Sequence, residues 1–156
     1  MASQRDRVRM PEDEARQFLE EGRHLQVASI GADGAPHLVA MWYVVDDVGR
    51  VLFTTYERSQ KVLNVRRDPR VTLLVEAGEA YDELRGVMIE GRAEVVTEPP
   101  FTAEVMRRVG AKYGGGSGAS RVGDGEAIPP AAFKRAVVRV TAERMRSWDH
   151  RRLAAR

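Results

Sequence analysis

The chain has 156 residues, 43% of them hydrophobic and 31% charged, a formal net charge of +2 and no cysteine. Length and composition fit a single globular domain, residues 1–156, with room for a full hydrophobic core. Without cysteine, neither a disulfide framework nor a thiolate metal site is available, and no apolar run is long enough to span a bilayer.

The opening segment, MASQRDRVRM, is charged and lacks a signal peptide's apolar centre, which predicts a cytoplasmic protein with no membrane partner. Arg5, Arg7 and Arg9 load one end, and Arg144, Arg146, Arg151, Arg152 and Arg156 the other. Such ends neutralise nucleic-acid phosphates in some proteins. With the overall charge nearly balanced, solvated chain ends are the better reading, residues 1–10 are expected to be flexible, and no nucleic-acid partner is predicted.

Pro11 to Glu21 reads as a short helix, with Glu12, Asp13 and Glu14 in the first turn, where the helix dipole favours them. His24 to Ile30 alternates with period two, a half-buried strand. Gly31-Ala32-Asp33-Gly34 turns it into a hairpin whose second arm is predicted over His37 to Val45. Asp46 to Gly49 is a further turn, and Val51 to Thr55 a third strand. Ser59 to Arg67 is helical and stops at Asp68-Pro69. Val71 to Val75 is apolar enough for a central strand. After a polar loop, Leu84 to Thr97 alternates, and Gly91 marks a bulge or bend. Pro99-Pro100 opens a helix to Tyr113. Gly114 to Pro130 is a glycine-rich loop without periodicity, and Ala136 to Thr141 the last strand. Strands mostly joined by tight turns predict a mainly β, antiparallel barrel with short helices in its connections.

Chemistry concentrates in VLFTTYERSQKVLNVRRDPRVTLLV, residues 51–75. Phe53-Thr54-Thr55 ends a strand, and Ser59-Gln60-Lys61 opens a helix. Hydroxyls, free helix-start amides and a lysine within one turn suit a phosphate. The plainer alternative is that Ser59 only caps the helix and Lys61 is a solvated charge. Pro36 to Tyr43 offers a strand backbone to a flat ring system, or is simply a core strand, the better reading from the residues alone. His24, His37 and His150 show no metal-ligand spacing, and no serine sits in a nucleophile-elbow context, so neither a metal site nor a catalytic side chain is assigned. In Ser147-Trp148-Asp149-His150, the large indole needs a place to bury, on its own barrel or on a partner subunit.

Taken in order, LQVASIGADGAPHLVAMWYVV, the strand ending FTT, SQKVLNVRRDPRVTLLV, RGVMIEGRAEVV and the closing SWDHR resemble the pyridoxamine 5′-phosphate oxidase-like family of flavin-binding split β-barrels. The resemblance is strongest to its flavin/deazaflavin oxidoreductase branch. It implies a Greek-key split barrel, a homodimer with cofactor sites at the subunit interface, and coenzyme F420, or alternatively FMN, as cofactor. Phe53, Thr54, Ser59, Gln60 and Lys61 match the family's cofactor-phosphate positions, beside Thr55. His37, Val39, Ala40 and Met41 lie in the strand whose backbone faces the ring system. Arg85 and Met88 open the strand at the ring edge, and Trp148 matches a C-terminal tryptophan near the site. Two departures stand out. Gln60-Lys61 replaces an Arg-Lys pair, and Gly86 replaces a glutamine that reaches the flavin. Both count against oxidation of pyridoxamine phosphate, leave FMN open and favour F420, whose longer tail can use other basic residues such as Arg58. The implied activity is hydride transfer between the deazaflavin and a small conjugated organic substrate. A proton donor is open between solvent, Tyr43, Tyr56 and Tyr113. The alternatives are an FMN-dependent oxidoreductase and a non-catalytic flavin- or haem-binding barrel.

Overall fold

Alternating runs of β-branched residues assemble into seven antiparallel strands in the computed structural model, which describes residues 3–114 and 127–153. The strands are β1 (Leu25–Ile30), β2 (Pro36–Met41), β3 (Val44–Val45), β4 (Val51–Tyr56), β5 (Arg70–Ala77), β6 (Arg85–Val96) and β7 (Arg135–Asp149). They form one sheet in the order β2-β1-β5-β6-β7-β4-β3. The sheet curls as a half-barrel, and β2 and β3 remain as its two edges. Helices fill the connections: α1 (Gln4–Val8), α2 (Glu12–Glu21), α3 (Gln60–Arg67) and α4 (Pro99–Tyr113). Of the glycine-rich loop expected over Gly114–Pro130, residues 115–126 lie outside the described residues.

The concave face carries the main core. Val27, Val51, Phe53, Leu73, Val75, Val87, Ile89 and Val138 meet there, and Leu19 of α2 and Val62 and Val65 of α3 pack against them. The opposite face of β4 holds Leu52, which joins Val44, Val137 and Val105 and Val109 of α4 in a second cluster. Successive β4 side chains therefore enter different cores, as strand pleating demands.

Three expectations need correction. The strand predicted over His37–Val45 breaks at Trp42-Tyr43, and its two pieces serve opposite edges: β2 pairs with β1, β3 with β4. The cause is local. Tyr43 turns inward, is fully buried and donates its hydroxyl hydrogen to the carbonyl of Leu19. Trp42 turns outward and stacks on Tyr113, with ring centroids 4.6 Å apart. β2 is also an edge rather than a core strand, and its Leu38 is exposed. The last strand, predicted to stop at Thr141, continues to Asp149, so Trp148 is a strand residue. Its charged second half pairs with β6, across a register shift at Glu90/Gly91 where the glycine had marked a bulge.

The N-terminal segment carries structure too. The hydroxyl of Ser3 accepts from the Asp6 amide while Asp6 reaches back to the amide of Ser3, a reciprocal cap that closes α1. Val8 and Met10 are buried, and the Met10 amide donates to Ser147 Oγ at 3.2 Å.

Candidate functional site

The residues singled out around β4 and α3 separate by the face they occupy. Phe53 points into the main core and presents no side chain to a ligand. Thr55 also faces inward, is buried, and joins the hydroxyl–lysine cluster. Lys61 Nζ donates to Thr55 Oγ1 at 3.0 Å, and Thr55 Oγ1 donates to Ser59 Oγ at 3.3 Å. Ser59 stands at the N-cap of α3, yet its side chain accepts no capping hydrogen bond. The first amides of the helix are therefore left without side-chain acceptors, and the positive dipole end is open. Among the described residues Lys61 has no ion pair, and burial lowers its pKa below the usual lysine value. A half-buried ammonium without a carboxylate, beside uncapped amides and two hydroxyls, is chemically disposed to take an oxyanion.

Gln60 does not add a donor to this cluster. Its Nε2 donates to Asn64 Oδ1 at 2.8 Å, and Asn64 Nδ2 donates to Ser29 Oγ at 3.0 Å. Arg67 completes the arrangement by donating to Asn64 Oδ1 at 3.1 Å and to the carbonyl of Ile30. Asn64 and Ser29 are both buried, so this polar link fixes α3 on β1 and sets where its first turn points. Sequence reading missed both. The available signal was an asparagine between Val62 and Val65 on the helix face that enters the core. Arg58 is exposed on the turn before α3.

Thr54 lies on the other face of β4. With Ala40 and Met41 of β2 it lines a hollow of about 350 Å³, bordered also by His24 and Arg135. The latter two were not anticipated. Arg135 lies over the Tyr56 ring at 4.6 Å from its centroid, and its Nε is buried without a hydrogen-bond partner among the described residues. On β2, Val39 and Met41 pack against the main core, and His37 stands opposite Ser29 with its Nδ1 buried and, among the described residues, unpartnered.

The remaining expected residues sit elsewhere. Arg85 lies over the Phe18 ring at 5.1 Å. Met88 and Trp148 line a hollow of about 1030 Å³ between the N-terminal segment and the β6–β7 arms. Trp148 stands directly across from Gly86, and a Cβ built at position 86 would meet the indole Cζ2 at 2.2 Å. Glycine is therefore required at 86 by the tryptophan that covers it. The two groups belong to opposite ends of β7: Thr55 pairs with Ala136, and Gly86 with Trp148. At the strand rise of about 3.3 Å per residue, positions 136 and 148 stand up to about 40 Å apart. The Lys61 seat and the Trp148 end thus lie toward opposite ends of one long strand.

Among the described residues no group of three or more His, Asp or Glu is placed to hold a metal, and no helix is long and apolar enough to cross a membrane.

The profile of the family described as pyridoxamine 5′-phosphate oxidase matches residues 11–149. Among solved structures, a conserved hypothetical protein from Mycobacterium tuberculosis is 43% identical, with 98% of this chain and 93% of that one covered and a TM-score of 0.83. A protein described as an F420 reductase is 23% identical, covering 87% of this chain and 98% of that one, with a TM-score of 0.67. The haem storage protein HutZ from Vibrio cholerae is 16% identical over 88% of this chain and 96% of its own, with a TM-score of 0.65. Nothing matches among curated protein sequences. The last two likenesses speak to the shared fold alone.

Proposed function

We propose that this chain, which belongs to the pyridoxamine 5′-phosphate oxidase family, is an oxidoreductase that works with coenzyme F420 and reduces a small conjugated organic substrate. One observation carries the reading. Lys61 keeps a half-buried ammonium on Thr55, without an ion pair among the described residues, at a helix start whose amides no side chain caps. That seat suits the anionic tail of a flavin-type cofactor.

The residues fit such a group in specific ways. The Lys61 ammonium has three N–H bonds and spends one on Thr55, so two remain for an oxyanion. Thr55 holds the ammonium and itself donates to Ser59, and Asn64 keeps the helix that carries the lysine seated on β1. Arg58, exposed one residue before the helix cap, offers a further cation to a longer tail, which favours F420 over FMN. With Gly86 under the Trp148 indole, the family's glutamine contact is replaced by an apolar aromatic face. When bound, the deazaflavin supplies the hydride; the chain's side chains bind, orient and exclude water, and none acts as a nucleophile.

The separation of Thr55 and Trp148 along β7 supports a further element of the proposal. In this reading two copies of the chain share each cofactor, with the Lys61 seat from one and the Trp148 end from the other. The working form is then a homodimer, soluble in the cytoplasm.

The test is a pair of binding isotherms. Purified protein titrated with F420, followed by deazaflavin absorbance and fluorescence, should saturate at micromolar concentration and bind more tightly than FMN. Tighter FMN binding transfers the reading to an FMN-dependent enzyme. An intense Soret band in the purified protein, with neither cofactor bound, replaces it with haem handling. Sedimentation showing only monomer at micromolar concentration removes the interface site.

A further inference from the structure

The 1030 Å³ hollow that holds Met88 and Trp148 has a composition that the cofactor seat does not explain. Part of its lining is apolar and soft: Met88 shares a face of the β6–β7 arms with the Trp148 indole, and Met10 and Met145 also border the hollow. Thioethers adapt to irregular shapes and pack well against ring edges, so such a lining suits a flat apolar body. Its rim is cationic. Arg5 and Arg9 project from the N-terminal segment, and Arg144 and Arg146 from β7.

The carboxylates nearby do not balance those four cations. Arg9 meets Asp6 at 3.3 Å, with both side chains half exposed or more. Arg144 and Arg146 share Glu90 at 3.4 and 3.8 Å. Glu12, also in the lining, is already engaged by Arg16 at 2.6 Å. Arg5 has no ion pair among the described residues. Exposed pairs of this kind are weak and yield readily to a better acceptor. An organic acid that offers two oxygens to a guanidinium is such an acceptor.

The roof over the hollow is built rather than draped. The Ser3–Asp6 cap closes α1, Val8 and Met10 are buried, the Met10 amide is held by Ser147, and Arg152 pairs with Glu14. The segment that carries Arg5 and Arg9 is thereby fixed at the border of the hollow.

We propose that this hollow binds an amphipathic organic acid, with its flat apolar body on Met88 and Trp148 and its acid group on the arginine rim. Its role as the substrate chamber rests on the redox reading above; its ability to bind does not. The substrate class is then a conjugated aromatic acid rather than a neutral compound.

The probes are 8-anilinonaphthalene-1-sulfonate and its uncharged counterpart N-phenyl-1-naphthylamine, titrated by fluorescence into the full chain. The sulfonate should saturate at about one per chain and bind about tenfold more tightly than the amine. Arg5→Gln with Arg9→Gln should weaken the sulfonate about tenfold and change the amine less than about twofold. Excitation of the protein should light the bound sulfonate, and Trp148→Phe should cut that transfer more than Trp42→Phe. Far-UV circular dichroism checks the fold, and Arg146→Gln serves if the double variant does not fold. Equal affinity for both probes, or an unchanged sulfonate affinity in the arginine variants, overturns the inference. Parallel titrations with F420 and FMN separate the two readings. Cofactor binding with no preference for the sulfonate overturns the anion chamber alone. The expected sulfonate behaviour without cofactor binding upholds the chamber and overturns its substrate role with the redox reading.

Discussion

Lys61 and Lys112 are both half-buried, both lose water, and are seated in opposite ways. Lys61 rests on hydroxyls at the open start of a helix. Lys112, in the last turn of α4, rests on rings: its Nζ is 3.8 Å from the Tyr43 ring centroid and 5.4 Å from that of Tyr113, enclosed and without a hydrogen-bond partner among the described residues. Burial lowers the pKa of each, and the nearby Arg23 charge adds to the effect at Lys112, which is pushed down to about 8. The hydroxyl seat leaves N–H bonds free for an incoming anion. The aromatic seat attracts the charge through the ring quadrupoles and closes around it. Desolvation of a lysine thus marks no site by itself; what matters is whether its remaining donors face an opening.

The comparison is open to attack at each seat. Tyr43→Ala should have the largest effect, a loss of about 3–5 kcal/mol in unfolding free energy by urea titration, because it removes a fully buried ring and its hydrogen bond to Leu19. A loss below about 1 kcal/mol would mean that the aromatic seat is not part of the core. Lys61→Ala should weaken cofactor binding by about 1–3 kcal/mol with little change in stability, read as a dissociation constant. An unchanged constant takes Lys61 out of the site and makes the two lysines equivalent.

Lys112→Met sharpens the contrast through pH. The folded-state pKa of Lys112 is about 8 against an ordinary 10.5, so between those values the unfolded chain binds more protons. Stability from this group therefore rises with pH across that window. The methionine variant should lose that rise, gain about 1 kcal/mol at pH 7 once solvent screening of a half-exposed side chain is allowed for, and leave the cofactor constant unchanged. Urea midpoints measured from pH 7 to above 10 check it. Thr55→Val should have the smallest effect. It deletes the oxygen that accepts from Lys61, and the expected loss in cofactor affinity is about 0.5–1 kcal/mol. A loss as large as that of Lys61→Ala would make the threonine the primary contact.

Local chemistry was legible in the sequence where neighbours in the chain are also neighbours in space. The Gly31–Gly34 turn, the α3 stop at Asp68-Pro69 and the bulge at Gly91 all follow from short-range preferences. So does the gathering of Thr55, Ser59 and Lys61, since one turn and one helix start join them. What stayed hidden depends on distant partners. Glu143-Arg144-Met145-Arg146-Ser147 carries almost no apolar alternation, and it becomes strand because β6 supplies the other half of the ladder. The break at Trp42-Tyr43 is set by Leu19 and Tyr113, each far away in the chain. Asn64 and Ser29 read as ordinary polar residues until the fold buries them together. The Trp148 end of the candidate site was indicated by family resemblance alone, because no spacing in the sequence relates it to the Lys61 seat.

The pairing of Gly86 with Trp148 ties two side-chain settings together. A Cβ at 86 would collide with the indole where it now stands, so a glutamine there requires the tryptophan ring to swing aside. Bulk at 86 and the present tilt of the ring are thus mutually exclusive, and whatever the ring shields or exposes is set by a residue that has no side chain of its own.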